Sequence, residues 1–236
     1  MRFDILTLFP ELFAPFLQVG VTRRAYEGGL VDVRLWNPRD HADGNYRRVD
    51  DRPFGGGPGM VMMAEPLARC LEAVRADRAE PAESAAPVVL FSPIGERIDH
   101  AGVARWSASA GAVLVCGRYE GIDQRFIDFF VDVQLSLGDF VLSGGEIAAM
   151  ALLDAVARLQ PGVLNDAGSY QQDSFNPALD GLLDCPHYTR PEQWQGAGVP
   201  PVLTSGDHAK IDAWRRAQRI ALTTRHRPDL LPPKKL

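Results

Sequence analysis

Three glycine-rich turns are the segments of this 236-residue sequence in which a ligand could approach the backbone most closely. They lie at residues 51–60, 117–121 and 142–146. Glycine has no Cβ, so its backbone tolerates angles and close contacts that other residues do not. Taken one at a time, each turn is more typical of an ordinary loop than of a binding site.

The known motifs for nucleotide phosphates are incomplete in these turns. There is no G-x-x-x-x-G-K-[ST], and residues 55–60 lack the last glycine of the dinucleotide fingerprint. The pattern argues against a nucleoside triphosphate or NAD and favours a compact ligand with an adenine, a ribose and an amino acid. Candidate apolar walls for such a ligand are Phe91, Pro93, Leu137 and Phe140.

The cysteines predict neither a metal site nor a disulfide framework. Cys70, Cys116 and Cys185 are odd in number, and none belongs to a C-x-x-C pair. Cys185 with His187 is the nearest approach to a ligand pair, and without a second pair it is more typical of packing. We therefore assign no zinc and name no residue as a metal ligand.

Charge is divided unevenly along the chain. The net charge of −5 argues mildly against a nucleic-acid partner, yet residues 1–189 carry −10 and residues 190–236 carry +5. The tail is thus a separate electrostatic unit whose basic side chains could contact RNA phosphates. A solvated helix face explains the same residues equally well. They are Lys210, Arg215, Arg216, Arg219, Arg225 and Arg227.

Alternating apolar and amphipathic segments predict an α/β domain. Buried strands are predicted at residues 3–9, 31–36, 88–91 and 112–116, helices at 65–75 and 99–106, and a surface loop at 76–87. This alternation is typical of a mostly parallel sheet covered by helices. The second glycine turn follows a strand and the third precedes a helix, so both belong at the carboxyl edge, where open α/β sheets bind ligands.

A small, polar segment divides the chain. Ser143 is predicted to cap a helix from residue 146 to about 160, with Glu146 in its first turn. Residues 162–172 then form a mobile linker between a first domain, 1–161, and a second, 173–236. The second domain is predicted to be helical over residues 206–225. The apolar face of that helix is Ile211, Trp214, Ala217 and Ala221.

The sequence shows no signal for a membrane or for export. It has no run of about 18 apolar residues, and Asp4 stands where a signal peptide would be apolar. We expect a cytoplasmic protein.

Five segments together resemble the bacterial tRNA (guanine-N1)-methyltransferase family, TrmD, of the SPOUT superfamily. They are residues 50–60, 117–121, 138–146, 173–175 and 182–191. The resemblance runs in order from Leu8 to about Leu231, so chance does not explain it. It implies a homodimer whose parallel sheet is tied in a trefoil knot, flanked by helices and followed by a small helical domain. Periodicity predicts no knot, because true knots are nearly absent from proteins.

The resemblance also implies that S-adenosylmethionine binds in the knot loops, with Glu120 beside its methionine end, and that Mg²⁺ assists. A β-branched residue at Gly144 is expected to close this loop or to be excluded by its backbone angles. The implied cofactor-binding residues are Phe91, Ser92, Pro93, Gly117, Tyr119, Glu120, Leu137, Gly138, Asp139, Phe140, Val141, Leu142, Gly144 and Gly145.

By the same resemblance the catalytic residues are Asp173 and Arg158. Guanine N1 carries a proton, so its methylation needs a general base, and loss of that proton leaves negative charge on O6. A carboxylate and a cation meet these two needs. Outside the family context, Asp173 before Ser174 is more typical of a helix cap, and Arg158 of a solvated cation at a helix end.

The expected partner is tRNA, methylated at the guanosine just 3′ of the anticodon, in support of reading-frame maintenance. Phe91 and Ile94 depart from the family pattern, which has tyrosine and glutamine there, so a polar contact near the adenine is expected to be absent. Residues expected to contact the tRNA and its anticodon loop are Asp50, Arg52, Arg118, Ser174, Lys210, Arg215 and Arg219.

Two other functions remain compatible with the sequence. One is a related knotted methyltransferase that acts on another RNA base, against which Asp173 argues because ribose or uridine chemistry needs no base aimed at guanine N1. The other is a non-catalytic RNA-binding module that keeps the basic tail but has lost the cofactor.

Overall fold

The computed structural model describes residues 1–79, 85–166 and 168–231. The chain divides into two compact units, residues 1–164 and 165–236, and the division falls inside the predicted linker. No helix in the described ranges is long and apolar enough to cross a membrane.

The first unit contains a five-stranded sheet in the order β2-β1-β6-β5-β7, with every pair of neighbours parallel. The prediction of a parallel α/β sheet is confirmed. A short antiparallel pair, β3 and β4, lies outside this sheet. The strands are β1 (Arg2–Leu6), β2 (Asp32–Trp36), β3 (Asp50–Asp51), β4 (Val61–Met62), β5 (Val88–Arg97), β6 (Gly111–Val115) and β7 (Val133–Ser136).

Helices cover both faces of this sheet. Those of the first unit are α1 (Phe13–Gln18), α2 (Arg23–Glu27), α3 (Ala64–Arg78), α4 (His100–Ser107), α5 (Gln124–Phe130) and α6 (Glu146–Arg158). Helix α3 continues through the first residues of the predicted surface loop, while residues 80–84 of that loop lie outside the described ranges. The helix predicted over residues 99–106 is confirmed as α4, and Asp99 is its N-cap, with a carboxylate that accepts a hydrogen bond from the Gly102 N–H.

The second unit consists of short elements and one long helix. They are α7 (Gly168–Gln171), β8 (Gln193–Trp194), β9 (Ala197–Gly198) and α8 (His208–His226). Within residues 1–79, 85–166 and 168–231, five 3₁₀ helices have proline in their first turn, where a missing N–H costs nothing. They are Pro10–Leu12, Pro38–His41, Pro177–Leu179, Pro201–Thr204 and Pro228–Leu230.

The core forms two layers because side chains alternate across a strand. Phe3, Ile5 and Leu114 face one layer with α6, whereas Leu6 and Val115 face the other layer with α3. Asp4 shares the second face and is fully buried. Its carboxylate accepts hydrogen bonds from Arg2, Arg78 and the Trp36 indole, which fasten the end of α3 to the strands.

Three local predictions differ from the structure. Ser143 does not cap α6, because Gly145 occupies the N-cap position and no side-chain cap forms. The same helix ends at Arg158 rather than near residue 160. On α8 the predicted face is wrong at Ala217 and Ala221, which are exposed, while Thr223 is fully buried. Thr223 was missed because the pattern used to predict the buried face counts apolar residues, and threonine is polar.

Candidate functional site

A break within β5 and the loops that follow β6 and β7 line a cavity of about 260 Å³. Because these strands are parallel, their carboxyl ends meet at one edge of the sheet, as expected for a ligand site. The lining is Leu90, Phe91, Ser92, Pro93, Gly117, Arg118, Tyr119, Glu120, Gly121, Ile122, Ile127, Leu135, Ser136, Leu137, Gly138, Phe140, Val141, Leu142, Ser143, Gly144, Gly145 and Ala148.

The predicted cofactor residues lie in this lining with one exception. Within the part of the chain that the structure describes, Asp139 stands outside it, with an 86% exposed side chain that pairs with Arg97 at 2.8 Å. The prediction missed Ile122, Ile127 and Leu135. Their apolar character was visible in the sequence, but only the fold shows that they face the cavity.

A break in strand β5 places Ser92 and Pro93 in the cavity wall. Leu135 of β7 pairs with both Phe91 and Glu96, so residues 92–95 bulge out of the sheet. At Gly95 a Cβ would come within 2.5 Å of the backbone of β7, so the bulge closes only with glycine. The sequence prediction ended this strand at residue 91, since Pro93 and Gly95 mask its continuation.

The second and third glycine turns contact each other directly. The Gly145 N–H donates to the Gly117 carbonyl at 3.0 Å, and Arg118 and Gly144 form an antiparallel bridge. A Cβ on Gly145 would lie 2.8 Å from the Cα of Cys116, so only glycine fits this contact.

Gly144 is restricted for a different reason from the one expected. Its φ lies outside the left-handed region, so the argument from backbone angles is wrong. Crowding remains, because a Cβ there would collide with the Arg118 side chain. Tyr119, by contrast, has a φ of 60°, which is uncommon for a residue other than glycine and marks the cavity loop as strained.

The first glycine turn joins the site through Glu120. The Glu120 N–H donates to the Met60 carbonyl at 2.9 Å, and a Cβ on Gly59 would meet the Glu120 side chain. Asp50 and Asp51 form β3 at the base of this turn. The structure therefore brings all three glycine turns to one edge of the sheet.

A buried ion pair lies beneath these turns. Glu146 is 1% exposed, accepts a hydrogen bond from the Thr7 hydroxyl at 2.9 Å, and lies 2.9 Å from an Arg118 nitrogen. The Arg118 guanidinium also donates to the Ser143 carbonyl and stacks over the Phe9 ring at 4.5 Å. The sequence analysis predicted Glu146 in the first turn of a helix and Arg118 as a tRNA contact. It did not predict that the two side chains contact each other.

Burial also determines the protonation of the Cys116 thiol. The pKa of Cys116 is raised well above its usual value by burial, with a further contribution from the carboxylate of Glu146. This thiol therefore stays protonated near neutral pH and is unsuited to nucleophilic chemistry.

The two predicted catalytic residues lie in different units. Arg158 is the last residue of α6 and is half-buried. Asp173 is half-buried in a turn of the second unit, where its N–H donates to the Tyr170 carbonyl. The helix-cap interpretation of Asp173 is wrong, because the next short helix is capped by Asn176.

The basic residues predicted to meet tRNA differ in exposure. On α8, Lys210 pairs with Asp207 at 3.0 Å and remains 74% exposed, whereas Arg219 is 17% exposed and lies 3.6 Å from Asp184. Arg215 is intermediate and lies 3.7 Å from Asp212. In the first unit Arg52 is exposed beside the glycine turn. Ser174 accepts a hydrogen bond from the Asp184 N–H.

Comparison with known proteins gives a consistent result. The family model described as tRNA (Guanine-1)-methyltransferase TrmD matches residues 1–233. A protein of Paracidovorax citrulli named tRNA (guanine-N(1)-)-methyltransferase is 78% identical over 231 residues, covering 98% of this chain and 91% of the relative. Proteins with the same name from Polaromonas sp. and Albidiferax ferrireducens are 75% and 73% identical, each over 98% of this chain and 89% and 92% of the relative.

Proposed function

This chain belongs to the tRNA (guanine-1)-methyltransferase family TrmD, and on that basis we propose that it methylates N1 of the guanosine immediately 3′ of the anticodon in tRNA. The methyl donor is S-adenosylmethionine, and the modification supports reading-frame maintenance. The observation that carries the proposal is the cavity, in which two glycine turns and Glu120 meet at the carboxyl edge of a parallel sheet.

The chemistry of the cavity fits this cofactor. Phe91, Leu137 and Phe140 offer apolar surface for an adenine ring, and the glycine turns offer backbone groups that no Cβ shields. Glu120 brings a carboxylate to the lining, suited to the ammonium group of an amino acid. When bound, S-adenosylmethionine supplies an electrophilic methyl group on a sulfonium.

Asp173 acts as the general base in this proposal. Its carboxylate accepts the proton from guanine N1, which frees an electron pair on N1 for the methyl group. The negative charge that develops on O6 is stabilised by the Arg158 guanidinium. One observation supports the pair: Arg158 ends the helix that begins at the cavity.

The finer architecture also belongs to the proposal. The sheet is knotted as in the SPOUT superfamily, and the tight contact between the loops after β6 and β7 is compatible with such a knot.

The protein is a cytoplasmic homodimer, and residues 173–236 bind tRNA. Exposed Ile94, Phe129 and Val141 in the first unit supply apolar surface for a second copy.

The proposal that Mg²⁺ assists the reaction rests on the family resemblance alone. The described residues contain no group of three or more histidine, cysteine, aspartate or glutamate side chains that could hold a metal. Mg²⁺ often binds through one or two carboxylates together with substrate oxygens and water, a role open to Glu120. Assays with and without EDTA, followed by Mg²⁺ add-back, test this part separately.

The decisive experiment is methyl transfer from radiolabelled S-adenosylmethionine to an unmodified tRNA transcript. Nucleoside analysis should identify 1-methylguanosine, and a transcript with adenosine in place of the guanosine 3′ of the anticodon should stay unlabelled. Label on a ribose or on uridine would instead support a relative with another target. Cofactor binding without any transfer would support a non-catalytic module.

A further inference from the structure

A short segment of the second unit, residues 183–184, links α8 to the turn that carries Asp173. The Leu183 N–H donates to the Thr223 hydroxyl of α8 at 3.0 Å. The next amide, Asp184 N–H, donates to the Ser174 hydroxyl at 2.9 Å. Two successive amides therefore connect the segment to the helix and to the turn.

Further contacts fix both ends of this link. The Phe175 N–H donates to the Leu182 carbonyl at 2.9 Å, and the Arg227 guanidinium lies 5.6 Å from the Phe175 ring centroid. Phe175 has a φ of 72°, a conformation that a bulky residue keeps only where its surroundings impose it. The turn after Asp173 is therefore held in place rather than left to adopt its own geometry.

The carboxylate of Asp184 strengthens the connection to α8. Its Oδ1 lies 3.6 Å from the Arg219 Nε, and its Oδ2 lies 2.9 Å from the His187 Nε2. Although burial raises it, hydrogen bonds from the Cys185 N–H and from His187 hold the pKa of Asp184 below its usual value. The segment is thus attached to the helix by an ion pair as well as by the Thr223 hydroxyl.

Thr223 is conspicuous because it is fully buried and polar. A valine would fill the same volume, so packing alone does not require the hydroxyl. Its oxygen satisfies the Leu183 N–H, whose hydrogen bond would otherwise be lost.

We infer that Thr223 and Ser174 are positioning residues: their hydroxyls hold the turn that carries Asp173 at a fixed place relative to α8. The inference rests on the proposed function, in which Asp173 is the general base. A base displaced by about 1 Å can lose about 100-fold in rate, so this placement matters for catalysis beyond stability.

The test compares Thr223→Val with Thr223→Ser. Valine keeps the volume and removes the oxygen, whereas serine keeps the oxygen. Single-turnover methylation at saturating tRNA and cofactor should slow about tenfold or more in Thr223→Val and stay within about twofold of wild type in Thr223→Ser. The dissociation constant for tRNA should change little in both variants.

Thr224→Val is the matched control. Thr224 is the next residue of α8, is exposed, and bonds only within its own helix, to the Ile220 carbonyl. This variant should methylate at the wild-type rate. Should Thr223→Val fail to fold by circular dichroism, Ser174→Ala decides, with the same slowed single turnover expected.

Several outcomes would overturn the inference. They are a wild-type rate in folded Thr223→Val, an equal loss in Thr223→Ser, or an effect on tRNA affinity alone. If Thr223→Val does not fold, a wild-type rate in Ser174→Ala overturns it. Asp173→Asn is assayed in parallel, because activity in that variant would reject Asp173 as the base and so the proposed mechanism itself.

Discussion

Two acidic residues illustrate how differently one functional group is used in this protein. Asp173 lies half-buried in a turn of the second unit and is the general base of the proposed mechanism. Glu146 is buried against Thr7 and Arg118, where its oxygens are engaged by the protein. The proposed mechanism therefore uses the carboxylate of Asp173 for chemistry, whereas the carboxylate of Glu146 organises the loops that line the cavity.

Asp173→Asn is expected to remove most turnover and to leave cofactor affinity unchanged. The amide keeps the shape of the side chain but does not accept the N1 proton, and general-base catalysis typically contributes at least about 100-fold. Methylation rates and calorimetry with S-adenosylmethionine measure the two effects. A variant that keeps more than about a tenth of the wild-type rate would contradict the assignment.

Glu146→Gln is expected to lower the free energy of unfolding by about 3 kcal/mol and to weaken cofactor binding. The amide can still accept from Thr7, but Arg118 loses its charged partner and no longer fixes the Ser143 carbonyl. Urea denaturation and calorimetry measure these effects.

Asp139→Asn provides the comparison for Glu146→Gln. The ion pair of Asp139 with Arg97 is exposed, and such pairs contribute about 1 kcal/mol or less. Equal losses of stability in the two variants would show that burial of the Glu146 pair is unimportant.

At the scale of elements, the loops depend on close contacts between backbones. Gly145→Ala should weaken cofactor binding about tenfold or more, because the added Cβ lies 2.8 Å from the Cα of Cys116 and neither backbone can yield cheaply. Gly144→Ala should lose less, since the atoms nearest to its Cβ belong to the Arg118 side chain and not to backbone. Calorimetry compares the two variants, and a larger loss in Gly144→Ala would refute this ordering.

Sequence patterns were sufficient for many of the regular elements and insufficient for the contacts between them. Four strands of the parallel sheet and the helices α3, α4, α6 and α8 followed from apolar runs and helix signals, which are local, whereas β7 and the short helices α1, α2 and α5 were not predicted. The bulge after Phe91 and the pair of Glu146 with Arg118 depend on partners far away in the chain. No local pattern identifies such partners, and the roles of the cofactor loops came from the family resemblance.

At the scale of the whole molecule, the contrast in charge between residues 1–189 and the tail, residues 190–236, favours the tail as the tRNA-binding surface. The first 189 residues carry −10 and the remainder +5, so the charge pattern predicts that phosphates are attracted chiefly to the tail. The structure shows which basic side chains of α8 are already paired within the protein. Arg219 is committed to Asp184, so its removal would also disturb the segment that holds Ser174.

Arg216 and Arg225 are the better pair for testing this arrangement, since both are exposed on α8. Replacing both with alanine should weaken tRNA binding and reduce the slope of log K against log salt by roughly 1, because the two side chains lie on opposite sides of α8 and one of them faces a given phosphate surface. Cofactor affinity should not change. The measurement is a salt titration of tRNA affinity, with circular dichroism to confirm folding.

The matched control replaces Arg105 and Arg125, two exposed arginines of the first unit, and so removes the same charge elsewhere. If phosphates bind along α8, this control keeps the wild-type slope, because long-range attraction is screened within about 10 Å at 0.1 M salt. An equal change in both double variants would mean that only total charge matters. An unchanged slope in the α8 variant would move the tRNA surface to the first unit, where Arg47, Arg48, Arg52 and Arg118 surround the glycine turns and would be tested next.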